Sequence, residues 1–246
     1  MPLDLNDYVA AGYFLSKHVG PQDCTGIELR RVTMSGEHSS RKFFPESWAL
    51  SWCSATEREI DAALAAFGIP EDDLERVMDW ADDNFDKTFG AFNVFFGLVE
   101  ARFAANSVIN HATGLDLWGL GLHRSYLKDY CEASGPPPTE PGFAPTGATG
   151  IHLMTCRRTQ ALAHGGEILG FEVLLDRYGL VSPESRHHDE QELFRALDIT
   201  PNAHGLIDSF DQALRLCTYL DSHIAKEPNQ ILGWMPWLIV RYPLDG

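Results

Sequence analysis

The sequence predicts an α+β fold, a mixed sheet packed by several amphipathic helices. Three observations carry that expectation. Short apolar runs rich in Trp, Leu, Ile and Val read as strands. Longer segments space their apolar residues at helical period and open on capping signals. The two kinds do not alternate regularly, which favours α+β over a doubly wound parallel sheet.

In chain order, Ile27, Leu29 and Arg31 alternate with Glu28, Arg30 and Val32, and residues 27–32 read as a strand. Residues 48–53 do the same, with Trp48, Leu50 and Trp52 on one face. Ser54 and Glu57 have capping-box spacing, in which each satisfies a free N–H at a helix start. The helix they open carries Ile60, Ala63, Leu64 and Phe67 on one face and stops at Gly68. Pro70 suits the first turn of a second helix, residues 71–86. Residues 89–113 divide into a buried strand and, from 98 to 112, a helix followed by Gly114. A short buried strand at 115–122 leads into a helix at 122–133.

The stretch 135–150 is rich in Pro and Gly and reads as a loop or linker. The chain is accordingly expected to be a single α+β domain over 1–246, or two subdomains, 1–134 and 151–246, joined by that loop. Beyond it, residues 167–175 read as a central strand and 188–197 as a helix. Ser209 and Gln212 form a second capping box, opening a helix with Phe210, Ala213, Leu214, Cys217, Leu220 and Ile224 on its apolar side. Residues 237–242 predict a last strand, with Pro236 at its edge. Trp48, Trp52, Trp118, Trp234 and Trp237 lie in strand-like segments and are expected to pack the core.

Charge narrows the function classes. Asp and Glu total 35 against 19 Lys and Arg, a net charge of −16. Repulsion of that size disfavours nucleic acid, whose binding rests on Lys and Arg displacing counterions, and disfavours anionic membranes equally. A basic protein is the natural partner. The N-terminal residues show no basic, apolar leader, and no run approaches the roughly 20 apolar residues that span a bilayer. Cys24, Cys53, Cys131, Cys156 and Cys217 are widely spaced with no C-x-x-C, and predict reduced, buried thiols in a cytoplasmic protein.

The acidity concentrates in the helix expected at 71–86. At about 100° per residue, Leu74, Val77, Met78, Ala81 and Phe85 form a core-facing stripe. Asp72, Glu75, Asp79, Asp82, Asp83 and Asp86 form an adjoining carboxylate stripe, offset within the helix by Arg76 alone. Each like-charged i,i+4 pair costs roughly 0.2–0.5 kcal/mol. Such a face suits docking of a cationic partner, with Trp80, off the apolar stripe, as an anchor.

Catalytic signals are sparser. Asp82-Asp83-Asn84-Phe85-Asp86 resembles the D-D-x-x-D pattern of class I terpene synthases and prenyltransferases. That resemblance implies that Asp82, Asp83 and Asp86 hold Mg²⁺ against a substrate diphosphate. It covers five residues; the second metal motif, N-D-x-x-S-x-x-x-E, is absent, and those enzymes are all-helical where this chain predicts strands. His187, His188, Asp189 and Glu190 supply metal-ligand chemistry, yet adjacent helical residues point about 100° apart. His164-Gly165-Gly166-Glu167 reads as a turn before a strand, and His111, His123, His152 and His204 stand alone. There is no G-x-S-x-G, Walker loop or G-x-G-x-x-G, and Gly119-Leu120-Gly121 lacks the third glycine. Cys53, Cys131 and Cys156 read as core thiols before nucleophiles.

The expected function is therefore binding: an acidic protein, most concretely an immunity protein whose carboxylates neutralise a basic toxin such as a nuclease. No cofactor, metal or catalytic residue is assigned. The alternative is a metal-dependent enzyme using Asp82, Asp83 and Asp86 or residues 187–190.

Overall fold

The computed structural model describes residues 3–17, 70–84, 88–89, 94–110, 114–134, 153–177, 180–182, 190–204, 206–223 and 230–245. The strands and helices expected at 27–32, 48–53 and 54–67, the loop 135–150, and Asp86, His187, His188 and Asp189 lie outside them.

Among the described residues the strands are β1 (Tyr8–Lys17), β2 (Thr88–Phe89), β3 (Val94–Phe95), β4 (Leu115–His123), β5 (Glu167–Arg177), β6 (Leu180–Ser182) and β7 (Gln230–Tyr242). The α-helices are α1 (Leu74–Asp83), α2 (Leu98–Phe103), α3 (Leu127–Ser134), α4 (Glu190–Ala196) and α5 (Phe210–His223). The fold is α+β. Its strands form one seven-stranded sheet in the order β2-β3-β1-β4-β7-β5-β6. Every pairing among the described residues is antiparallel, where a mixed sheet was expected. Hydrophobic patterning reports burial, and strand direction is decided by which segments meet. β4 pairs with β7, so segments from both sides of residues 135–150 share this sheet.

β1 carries no sequence signal of alternation, because it is buried on both faces: Tyr8 to Leu15 are all buried. It pairs with β4 from Tyr8↔His123 to Lys17↔Leu115. Its other edge meets β3 at Tyr13↔Phe95 and residue Ala161 at Val9. The register slips between Ala10 and Gly12 in β1 and between Ile168 and Gly170 in β5. Both bulges use a glycine at positive φ, 144° at Gly12 and 131° at Gly170, which a side chain would strain.

Layers follow from the pleat. Trp237 and Leu238 are adjacent in β7 and point to opposite faces. Trp237 meets Tyr130 of α3 edge-on at 5.8 Å. Leu238 is in register with Phe171, whose ring lies 5.6 Å from Phe210 of α5. Helices thus cover both faces, and Trp237, Leu238, Ile239 and Val240 are all buried. Trp118 and Trp234 are buried as well, the core role expected of them. Gly119 and Gly121 serve packing: a Cβ would lie 2.7 Å from the Tyr242 ring at Gly119, and 3.2 Å from Leu162 at Gly121.

Three elements differ from expectation. The helix expected over 98–112 is α-helical only to Phe103 and continues as a π-turn, Ala104–Val108, closed by Ile109 N–H donating to Ala104 C=O at 2.9 Å. The last strand is thirteen residues long and contains Pro236 within it, paired with Val173. Pro236 falls just past the last β4 pairing, Leu122↔Trp237, where β7 has β5 alone as a described neighbour. The third difference is covalent. Cys131 of α3 and Cys156 of the π-turn Leu153–Arg158 form a disulfide, where reduced thiols were expected, while Cys217 is a buried thiol. Sequence spacing could not bring together two cysteines 25 residues apart; the packing of α3 beside that turn does.

Candidate functional site

α1 begins as anticipated after Pro70, whose carbonyl accepts from Asp73 N–H at 2.9 Å. Its first turn, Glu71–Asp73, is a 3-10 turn, and the α-helix proper ends at Asp83 rather than at 86. Asn84 closes it, donating from Nδ2 to the Trp80 carbonyl at 2.7 Å. A polar side chain on an orphan carbonyl is an ordinary helix stop.

Asp72, Glu75, Asp79 and Asp83 are exposed, four of the six carboxylates predicted to share a face. The side chains of Leu74, Val77, Met78, Ala81 and Asp82, and all of Phe85, lie outside the described residues. The helix's one cation is exposed yet engaged within the chain. Arg76 donates to Asp73 at 3.1 Å and to the Val108 carbonyl at 2.8 Å. That second bond ties α1 to the end of the π-turn after α2. Trp80 is half-buried and stacks on Phe103 of α2, with centroids 6.1 Å apart and planes 28° apart. The expected free anchor is therefore part of the contact between two helices.

α2 has apolar residues on two sides. Ala101 is fully buried, and Ala104, Ala105 and Val108 continue that buried side through the π-turn. Arg102 donates to the Pro243 carbonyl at 3.0 Å and Asn106 to the Leu244 carbonyl at 3.1 Å, which pins the helix to the chain after β7. At about 100° per residue, Val99 and Phe103 lie roughly 160° from Ala101 on either side. They are 72% and 52% exposed, the two most exposed large apolar side chains among the described residues. The sequence reading missed this pair. Its signal was an i,i+4 apolar pair opposite the alanine stripe, legible only once the stripe is known to be the buried side.

Of the remaining candidates, Cys53, His111 and His152 lie outside the described residues. His123 Nδ1 accepts from Ser125 N–H at 3.2 Å and lies 2.7 Å from Ser125 Oγ. That nitrogen closes the 3-10 turn Arg124–Tyr126, and the imidazole packs between Tyr8 at 5.2 Å and Phe210 at 4.8 Å. A histidine whose acceptor is spent on a turn is poorly placed as a general base. His164 lies exposed in the turn before β5. His204 is held through its backbone N–H by Asn202 Oδ1 at 2.9 Å. Glu190 opens α4. Among the described residues no three His, Cys, Asp or Glu side chains converge as metal ligands would. Glu172, in register with Trp237, is the single buried carboxylate among them, a feature with no sequence cue inside an apolar strand. No helix among them is long and apolar enough to cross a membrane.

Comparison with known proteins yields no relative: no family model, no curated protein and no solved structure matches the chain.

Proposed function

We propose that this chain is a binding protein whose partner is a basic protein, and that the partner docks across α1. The observation that carries the reading is the exposure of Asp72, Glu75, Asp79 and Asp83 on one helix whose only cation is engaged by Asp73 and the Val108 carbonyl. Carboxylates so placed raise the encounter rate with a cationic surface and set its orientation. The most concrete version is an immunity protein that covers the cationic active site of a toxin such as a nuclease. In that version the chain works in the cytoplasm, beside the toxin it neutralises. The Cys131–Cys156 bridge weighs against a reducing compartment, and a thiol count on protein taken from its own cells decides the matter.

The test begins with capture of the partner from those cells under a salt series, because a charge-steered complex weakens as screening rises. The combined substitutions Glu75→Lys, Asp79→Lys and Asp83→Lys are then expected to slow association at least roughly tenfold and to flatten its salt dependence. Unchanged association kinetics with the captured partner would remove the interface from α1.

A further inference from the structure

Two contacts join α1 to α2 and to the π-turn that follows it. Arg76 reaches the Val108 carbonyl, and Trp80 stacks on Phe103. On α1, Asp79 and Asp83 fall about 100° and 60° from Trp80, on one side of it. Phe103 touches Trp80 and stands one turn from Val99, so the exposed apolar pair adjoins the part of α1 that carries the exposed Asp79 and Asp83.

We infer that this apolar face is the centre of the docking surface and that its occupant is an amphipathic basic segment of the partner, a conclusion that rests on the reading above. Apolar side chains of the segment cover Val99 and Phe103, while its Lys or Arg residues meet Asp79 and Asp83. Charge selects this occupant over a second copy of the chain. Each copy carries −16, so a homodimer through this face would set acidic rims against each other. It also selects an amphipathic segment over a purely basic one, because exposed carboxylates steer but contribute little affinity, whereas covering a Val or Phe side chain contributes much more.

The experiment uses the full chain and two synthetic peptides of equal length and charge, one of Leu and Lys in helical amphipathic order, the other with Ser in place of Leu. Calorimetric titration is expected to show the Leu/Lys peptide binding about tenfold or more tighter. Val99→Ser alters a side chain that is mostly in water and should leave the far-UV spectrum unchanged. It is expected to remove most of the Leu/Lys advantage and to leave the Ser/Lys affinity as it was. Phe103→Ser should do the same, and Asp79→Lys with Asp83→Lys should weaken both peptides. If the two peptides bind wild type equally, the apolar inference falls and the basic-partner reading survives. Should neither bind, both fall. A dimer in sedimentation that Val99→Ser dissociates would assign the face to a second copy and overturn the inference.

Discussion

Tyr8, Tyr13 and Tyr242 are buried phenols at the sheet, and the last two are joined through the backbone of one residue, Ala163. Ala163 N–H donates to Tyr13 Oη at 3.0 Å, and Tyr242 Oη–H donates to the Ala163 carbonyl at 2.7 Å. Loss of water raises all three above the ordinary value of 10. Tyr8 is pushed to about 12, with Asp7 adding to burial. Tyr242 rises further, with Tyr13 adding and Arg102 opposing. For Tyr13 the bond from Ala163 partly offsets burial. These phenols contribute stability that is whole below pH 10, where both states are neutral. Above it the unfolded chain ionises first, and the contribution is lost as pH rises through the folded values. Unfolding free energies from urea titration should fall between pH 10 and 12 by about 1.4 kcal/mol per pH unit for each phenol out of step. Tyr242→Phe should lose about 1 kcal/mol at pH 7, with its hydrogen bond, and show a shallower alkaline slope. An unchanged slope would mean that Tyr242 ionises alike in both states.

At the scale of elements, α1 shows a helix with a composition its own stability does not favour. Asp79 and Asp83 are like charges at i,i+4, and Asp83 stands at the negative end of the helix dipole. Asp83→Lys turns that repulsion into an i,i+4 attraction and complements the dipole. It should stabilise the fold by about 0.5 kcal/mol in thermal unfolding while weakening the partner, a trade that a merely solvated face would not show. The exposure of Asp72, Glu75, Asp79 and Asp83 was legible because exposed residues follow helical period without help from neighbours. The side of α1 facing α2 was not legible: the contact is made by Arg76 and Trp80, and the long stem and the ring of such residues pack while remaining partly exposed. β1 escaped notice for the related reason that a strand covered on both faces loses its alternation.

For the whole molecule, the disulfide is the connection that most changes the expected behaviour. Cys131 and Cys156 close a loop of 25 residues, and in the chain-entropy account such a loop contributes about 3 kcal/mol. Reduction, or Cys131→Ser with Cys156→Ser, should lower the unfolding free energy by roughly that amount, read from denaturant midpoints with and without reductant. Equal midpoints would mean that the bridge does not constrain the unfolded chain. Most elements from 98 onward occur close to where their apolar spacing predicts them, β4, α3, β5, α4 and α5 among them. Spacing within an element is a local property, and local burial writes it into the sequence.

The sequence by itself determined the α+β class, the places of most described helices and strands after 98, the core role of Trp118, Trp234 and Trp237, and the acidity of α1. Each depends on residues within a few turns of one another. Only the tertiary structure decided the antiparallel order of the sheet, the Cys131–Cys156 pair, the burial of Glu172 and the meeting of Trp80 with Phe103. Those depend on which distant segments touch, and the free energy that selects among such contacts belongs to the packed whole. The exposed face of Val99 and Phe103 is of the second kind, since a side chain is left over only after the rest of the helix has found its place.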